Sequence, residues 1–139
     1  MSYEEKGQWV YIVVVAVGYG AYLIQLFGRA GATPLSEVDY VPIMLWTIGA
    51  SIAGAIVGRI LVEVARPSDD YSSDVRDRDI GRFGEYVAGT LLGIGMVVPF
   101  ILAITEVDHF WIANAMYLVF ALSAIVGAAI KLFAYRRGF

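Results

Sequence analysis

Cysteine is absent from the 139 residues, and histidine occurs once, as His109. The first absence removes disulfides, thiolate nucleophiles, iron–sulfur clusters, thiolate zinc sites and thiol oxidoreductase chemistry. The second removes bis-histidine haem ligation within one chain and any His-rich metal site. Charge is scarce as well, at 17% of residues against about a quarter in a soluble domain. Apolar residues fill the place of both, at 59% of the chain with a mean hydropathy of +0.69. The length allows one domain, spanning 1–139, and the composition is that of an integral membrane protein.

A hydrocarbon core about 30 Å thick needs roughly 20 apolar residues in a helix. Four runs of that length occur, at 9–28, 41–61, 84–105 and 110–130. Lipid offers backbone groups no partners, so each run has to be helical; a barrel would show alternating ten-residue segments instead. The first run is too long for a signal-peptide core, and no basic stretch precedes it. The expected fold is therefore all-α, an integral membrane bundle of four antiparallel transmembrane helices.

Lys6, Arg59, Arg66, Arg76, Arg78, Arg82, Lys131, Arg136 and Arg137 fall on the side shared by both chain ends and the 62–83 connection, and Arg29 alone falls on the other. Nine bases against one predict that both termini and residues 62–83 face the cytoplasm, in a multi-pass protein of the cell membrane. Trp9 and Tyr135 near inner ends, with Trp46 and Trp111 near outer ends, suit the aromatic belts. The connection at 106–109 is so short that the last two helices must be antiparallel neighbours.

Ala55-Ile56-Val57-Gly58 in the second run recurs as Ala124-Ile125-Val126-Gly127 in the fourth. This faint repeat either relates two helical hairpins about an axis along the membrane normal or reflects a small apolar alphabet. Small residues also recur at spacing four: Ala50, Gly54 and Gly58 in the second helix, Gly89 and Gly93 in the third, Ser123 and Gly127 in the fourth. Such ridges let backbones approach closely, inside one bundle or between two copies. Their number exceeds what one tight interface needs, so a homodimer or higher homo-oligomer is expected. In the third helix Gly95 and Pro99 predict a bend, because proline removes a ladder bond and crowds the preceding turn.

Ionisable groups in a span are costly and invite a functional reading. Arg59, Glu63, Glu85 and Lys131 all lie at the inner boundary, where they are expected to form an interfacial ionic network joining the second, third and fourth helices. No carboxylate sits in the middle of a run. That argues against a small proton-coupled multidrug exporter, similar in size and helix count but dependent on an acid deep in its first helix, where this chain offers Gln25. Thr47, Ser51, Thr90, Asn114 and Ser123 are too sparse to line a conducting pore. On the outer side Glu37, Asp39, Glu106, Asp108 and His109 match no defined metal-ligand spacing, and solvated turns with Asp108 capping the fourth helix account for them better. No metal site or cofactor is expected, and no nucleophile with a base, phosphate-cradling loop or catalytic carboxylate pair can be assembled.

The 62–83 connection divides in two. Residues 67–73 are rich in turn formers. From Asp74 onward, Asp74/Arg78, Arg76/Asp79 and Asp79/Arg82 fall at helical spacings, and Ile80, Phe83, Gly84 and Val87 keep one apolar stripe. The third helix should therefore start near Asp74, with Asp74 as N-cap and Asp77 near the positive helix end. This Asp/Arg segment, Asp74, Arg76, Asp77, Arg78, Asp79 and Arg82, could dock on a second subunit, a cytoplasmic protein or lipid headgroups.

Asp74-Val75-Arg76-Asp77-Arg78-Asp79-Ile80 resembles the Asp-Glu-Arg-Asp-x-x-Ile signature of a family of predicted four-helix prokaryotic membrane proteins classed as a domain of unknown function, with Val75 where that family has an acid. Phe110-Trp111-Ile112-Ala113-Asn114 and Tyr135-Arg136-Arg137-Gly138 are similar to it too, so the resemblance covers roughly the second half of the chain. It implies the four-helix fold and topology. The function expected from all this is a non-enzymatic membrane interaction or regulatory module that self-associates through small-residue faces, with the bilayer as its solvent and no nucleic-acid partner. The alternative is a small transporter or channel using the second to fourth helices around the Pro99 bend.

Overall fold

The computed structural model describes residues 2–69, 71–72 and 74–137; Gly138 of the terminal motif lies outside them. Helix α1 spans Tyr3–Ala30, α2 Val41–Ala65, α3 Val75–Gly95, α4 Val97–Ile104 and α5 His109–Arg137, with a 3-10 turn at Leu35–Glu37. There is no strand among the described residues. With α3 and α4 taken as one span, four helices are long and apolar enough to cross a membrane, and they run antiparallel. At 28 and 29 residues, α1 and α5 reach about 42–44 Å, well beyond a core of about 30 Å.

The helices outrun the apolar segments because polar caps extend them. Ser2 caps α1 by accepting from the Glu5 amide at 3.2 Å, so α1 begins six residues before the apolar run at 9. Asp74 caps α3 in both directions: its Oδ1 accepts the Asp77 amide at 2.6 Å, and Asp77 Oδ2 accepts the Asp74 amide at 3.4 Å. The 62–83 connection is thereby shortened to residues 66–74. Asp108 takes the amide of Phe110 at 2.9 Å at the start of α5.

The third span is broken at Met96. Pro99 has no N–H to give the Gly95 carbonyl, and the helix resumes one residue later as α4. Gly95 serves packing as well as bending, because a Cβ there would stand 2.5 Å from Val119 Cγ1 of α5.

The order of contact is α2 on α1, α1 on α5, and α5 on α3 and α4. The first and last helices thus meet in the middle, while α2 and α3 stand on either side of a cleft. At the end away from the chain termini the bundle is closed by a core of Tyr22, Leu26, Ile43 and Phe110, sealed by Leu35, Val38 and Tyr40 from the α1–α2 connection. Here Tyr22 is wholly buried, its hydroxyl donating to Asn114 Oδ1 at 2.5 Å.

The small-residue ridges are used unevenly. On α2, Gly54 and Gly58 receive Val14 and Val10 of α1, so that ridge is spent inside the chain. Gly127 of α5 lies against Ala88 of α3 in the same manner. The repeated tetrapeptides therefore do one job twice, each glycine seating its helix on the first helix of its own hairpin. Gly89 and Gly93 meet nothing within 4 Å and face outward.

Candidate functional site

At the terminal end the four expected network residues do not join three helices as one group. Lys131 of α5 reaches Glu85 of α3 at 3.5 Å. Arg59 and Glu63 turn the other way, to α1, where Arg59 meets Glu4 and Glu63 meets Lys6, both at 3.3 Å. The cause is the extra length of α1. Its first two turns carry Glu4 and Lys6 to the same depth as the basic and acidic residues of α2, and α2 packs on α1.

Lys6 is the residue that sequence reasoning overlooked. Its side chain is 10% exposed, and Nζ donates to Glu63, to the Arg66 carbonyl and to Ser68 Oγ, the last at 2.8 Å. Glu63 also accepts the Ser68 amide at 2.5 Å and the Tyr71 hydroxyl. The carboxylate that holds the Tyr71 phenol pushes its pKa above the ordinary tyrosine value. Tyr3 closes the same clasp, packing edge-on to Tyr71 at 5.6 Å and lying beneath the Arg59 guanidinium at 4.2 Å. A charge opposite the Glu63 turn in an antiparallel hairpin was the available signal, hidden by starting the first helix at residue 9.

The Asp/Arg segment leans on the end of α5. Ile80 is buried, Arg76 donates to the Tyr135 carbonyl at 3.2 Å, and Asp77 bonds the Tyr135 hydroxyl. Asp74 and Asp77 are thus occupied in capping and anchoring, while Arg78, Asp79 and Arg82 lie on the exposed side.

Between α2 and α3 lies an open cleft. Its terminal half, about 460 Å³, is lined by Gly7 and Gln8 of α1, Arg59 of α2, Gly84 and Glu85 of α3, and Gly127 and Lys131 of α5. Two glycines make room for its two cations. The Lys131 stem crosses α3 over Gly84, where any Cβ would strike it, and the Arg59 guanidinium rests against Gly7, whose Cβ would come within 3.2 Å of Cζ. Arg59 Nε is enclosed and has no hydrogen-bond partner.

No family model, no curated protein and no solved structure matches this chain. What the site can do is decided by its own geometry.

Away from the chain ends the cleft continues through shared walls at Tyr11, Ala55, Ile56 and Ala124 into a second half of about 390 Å³. That half is apolar apart from Tyr11, Tyr19, Ser51 and Tyr117. It stops where Tyr19 and Tyr117 pack edge to face at 5.0 Å, with Tyr22 behind them. The Pro99 bend borders a different groove, formed with Gly93, Phe100, Ile112 and Met116 on the opposite half of the bundle. Among the described residues no group of three or more His, Asp or Glu could hold a metal ion.

Proposed function

We propose that this chain is a non-enzymatic membrane interaction module of the cell membrane, with both termini cytoplasmic, that receives a partner laterally into the cleft between α2 and α3. The observation that carries this reading is the uneven closure of the bundle. It is packed shut around Tyr22 and Phe110 at one end and held open between α2 and α3 at the other. A bundle with only a structural role would gain by bringing those two helices together, since dispersion contacts drive helix association in lipid. The tyrosine block above the cleft, and the separation of the Pro99 bend from it, favour this reading over transport. Self-association belongs to the same proposal and falls to Gly89 and Gly93, because Gly54 and Gly58 are engaged by α1.

A photo-crosslinking residue at Ile56, on the cleft wall, should give a discrete adduct in native membranes. One at Ile24, 75% exposed and outside the cleft, should give only a diffuse background. Equal patterns at the two positions would refute a lateral binding cleft. For the orientation, a cysteine at Ser36 should react with an impermeant reagent in intact cells while one at Ser72 stays protected.

A further inference from the structure

We propose that the cleft holds one anionic phospholipid of the leaflet on the terminal side, its phosphate between Arg59 and Lys131 and one acyl chain along the apolar half. This deepens the lateral-cleft reading and rests on it. Length and charge fit a lipid. The cleft runs from Arg59 to Ile48 on α2 and from Lys131 to Tyr117 on α5, about 17–21 Å at a helical rise. A single hydrocarbon chain is slender enough, and the length is close to the roughly 15 Å depth of one leaflet's hydrocarbon.

Charge decides the headgroup. Two cations of different helices line the polar mouth, each laid over a glycine that leaves it room. The opposing acids are weakly placed competitors. Glu85 is 76% exposed at 3.5 Å from Lys131, and Glu4 holds one nitrogen of Arg59 from a partly exposed position. A phosphate entering from the bilayer can accept from both cations while the acids remain in solvent. Below the mouth most of the wall is aliphatic or aromatic, with Ala55, Ile56, Phe120 and Ala124 among it, which suits an acyl chain.

The test is native mass spectrometry of the full chain in neutral detergent, with phosphatidylglycerol and phosphatidylcholine of identical acyl chains as probes. Phosphatidylglycerol should be retained with a preference of roughly tenfold or more, the effect of two bases beside an anionic headgroup. The R59Q/K131Q variant should lose that preference and R59K/K131R should keep it. Ala55→Trp, which fills the slot and leaves both charges, should lower retention; Ala124→Leu serves the same purpose should the tryptophan variant lose its helical circular dichroism. Glycerol phosphate should not displace the lipid. Equal retention of the two lipids, a preference that survives R59Q/K131Q, no effect of filling the slot, or displacement by glycerol phosphate would each overturn the proposal. If the Ile56 adduct persists but carries the mass of a protein, the lateral cleft stands and the lipid does not. If no Ile56 adduct forms, both fall.

Discussion

Replacing Gly95 by Ala should destabilise the bundle, although alanine is the better helix former. The new Cβ would lie 2.5 Å from Val119 Cγ1, 3.1 Å from Cγ2 and 3.4 Å from Cβ, so it must retreat by roughly an ångström to reach ordinary contact. Val119 cannot swing aside, since a β-branched residue in a helix has one strongly preferred rotamer. The backbone of α3 must therefore move off α5. Overpacking of this kind costs about 1–3 kcal/mol, against which alanine returns at most about 1 kcal/mol of helix propensity. The net is a loss of about 0–2 kcal/mol, which places Gly95→Ala about 1–3 kcal/mol below Gly93→Ala, read by reversible unfolding in mixed micelles with far-ultraviolet circular dichroism. Gly93→Ala is the control, because its Cβ meets nothing within 4 Å and only the propensity remains. Val119→Ala should rescue Gly95→Ala, with a coupling of about 1 kcal/mol or more between the two sites. If Gly95→Ala is as stable as Gly93→Ala, or Val119→Ala fails to restore it, the close approach of α3 and α5 is wrong.

Asp74→Ala removes the two-way cap of α3 and should cost about 0.5–2 kcal/mol; amide exchange should accelerate in the first turn of α3 and stay unchanged in the middle of α5. Tyr22→Phe leaves Asn114 Oδ1 without its donor and should cost about 0.6–1.7 kcal/mol in the same micelle assay, the range for interhelical hydrogen bonds in lipid. An unchanged midpoint would mean that this bond contributes nothing. The raised Tyr71 pKa means the fold favours the neutral phenol. The clasp is therefore intact below the ordinary tyrosine range and lost as pH rises through the raised value. Subtracting the tyrosinate titration of Tyr71→Phe from that of the parent should isolate a group ionising above an ordinary tyrosine, and a difference curve centred on the ordinary value would refute the Glu63 contact.

What was legible in the chain follows from the bilayer as solvent. Four apolar runs, a short 106–109 connection and a capping pattern at Asp74 are one-dimensional signals. Backbone satisfaction in lipid leaves helix as the answer to each run, and the Asp74–Asp77 box is local in sequence. The bend near Pro99 is local as well, because a missing N–H acts on its own preceding turn. Depth was legible too, since Arg59, Glu63, Glu85 and Lys131 do share one end of the bundle.

Direction around each helix axis was not legible, and the tertiary structure alone decided it. Hydropathy measures how apolar a span is but not which side meets a neighbour, because lipid and a packed helix are equally apolar surroundings. Only the fold turns Gly54 and Gly58 toward α1 while leaving Gly89 and Gly93 outside. For the same reason Glu63 finds Lys6 rather than Arg59, a pairing 57 residues apart in the chain. The cleft is the strongest case. It exists because α1 and α5 meet in the middle and hold α2 and α3 apart, and no property of either of those two helices taken alone encodes the distance between them.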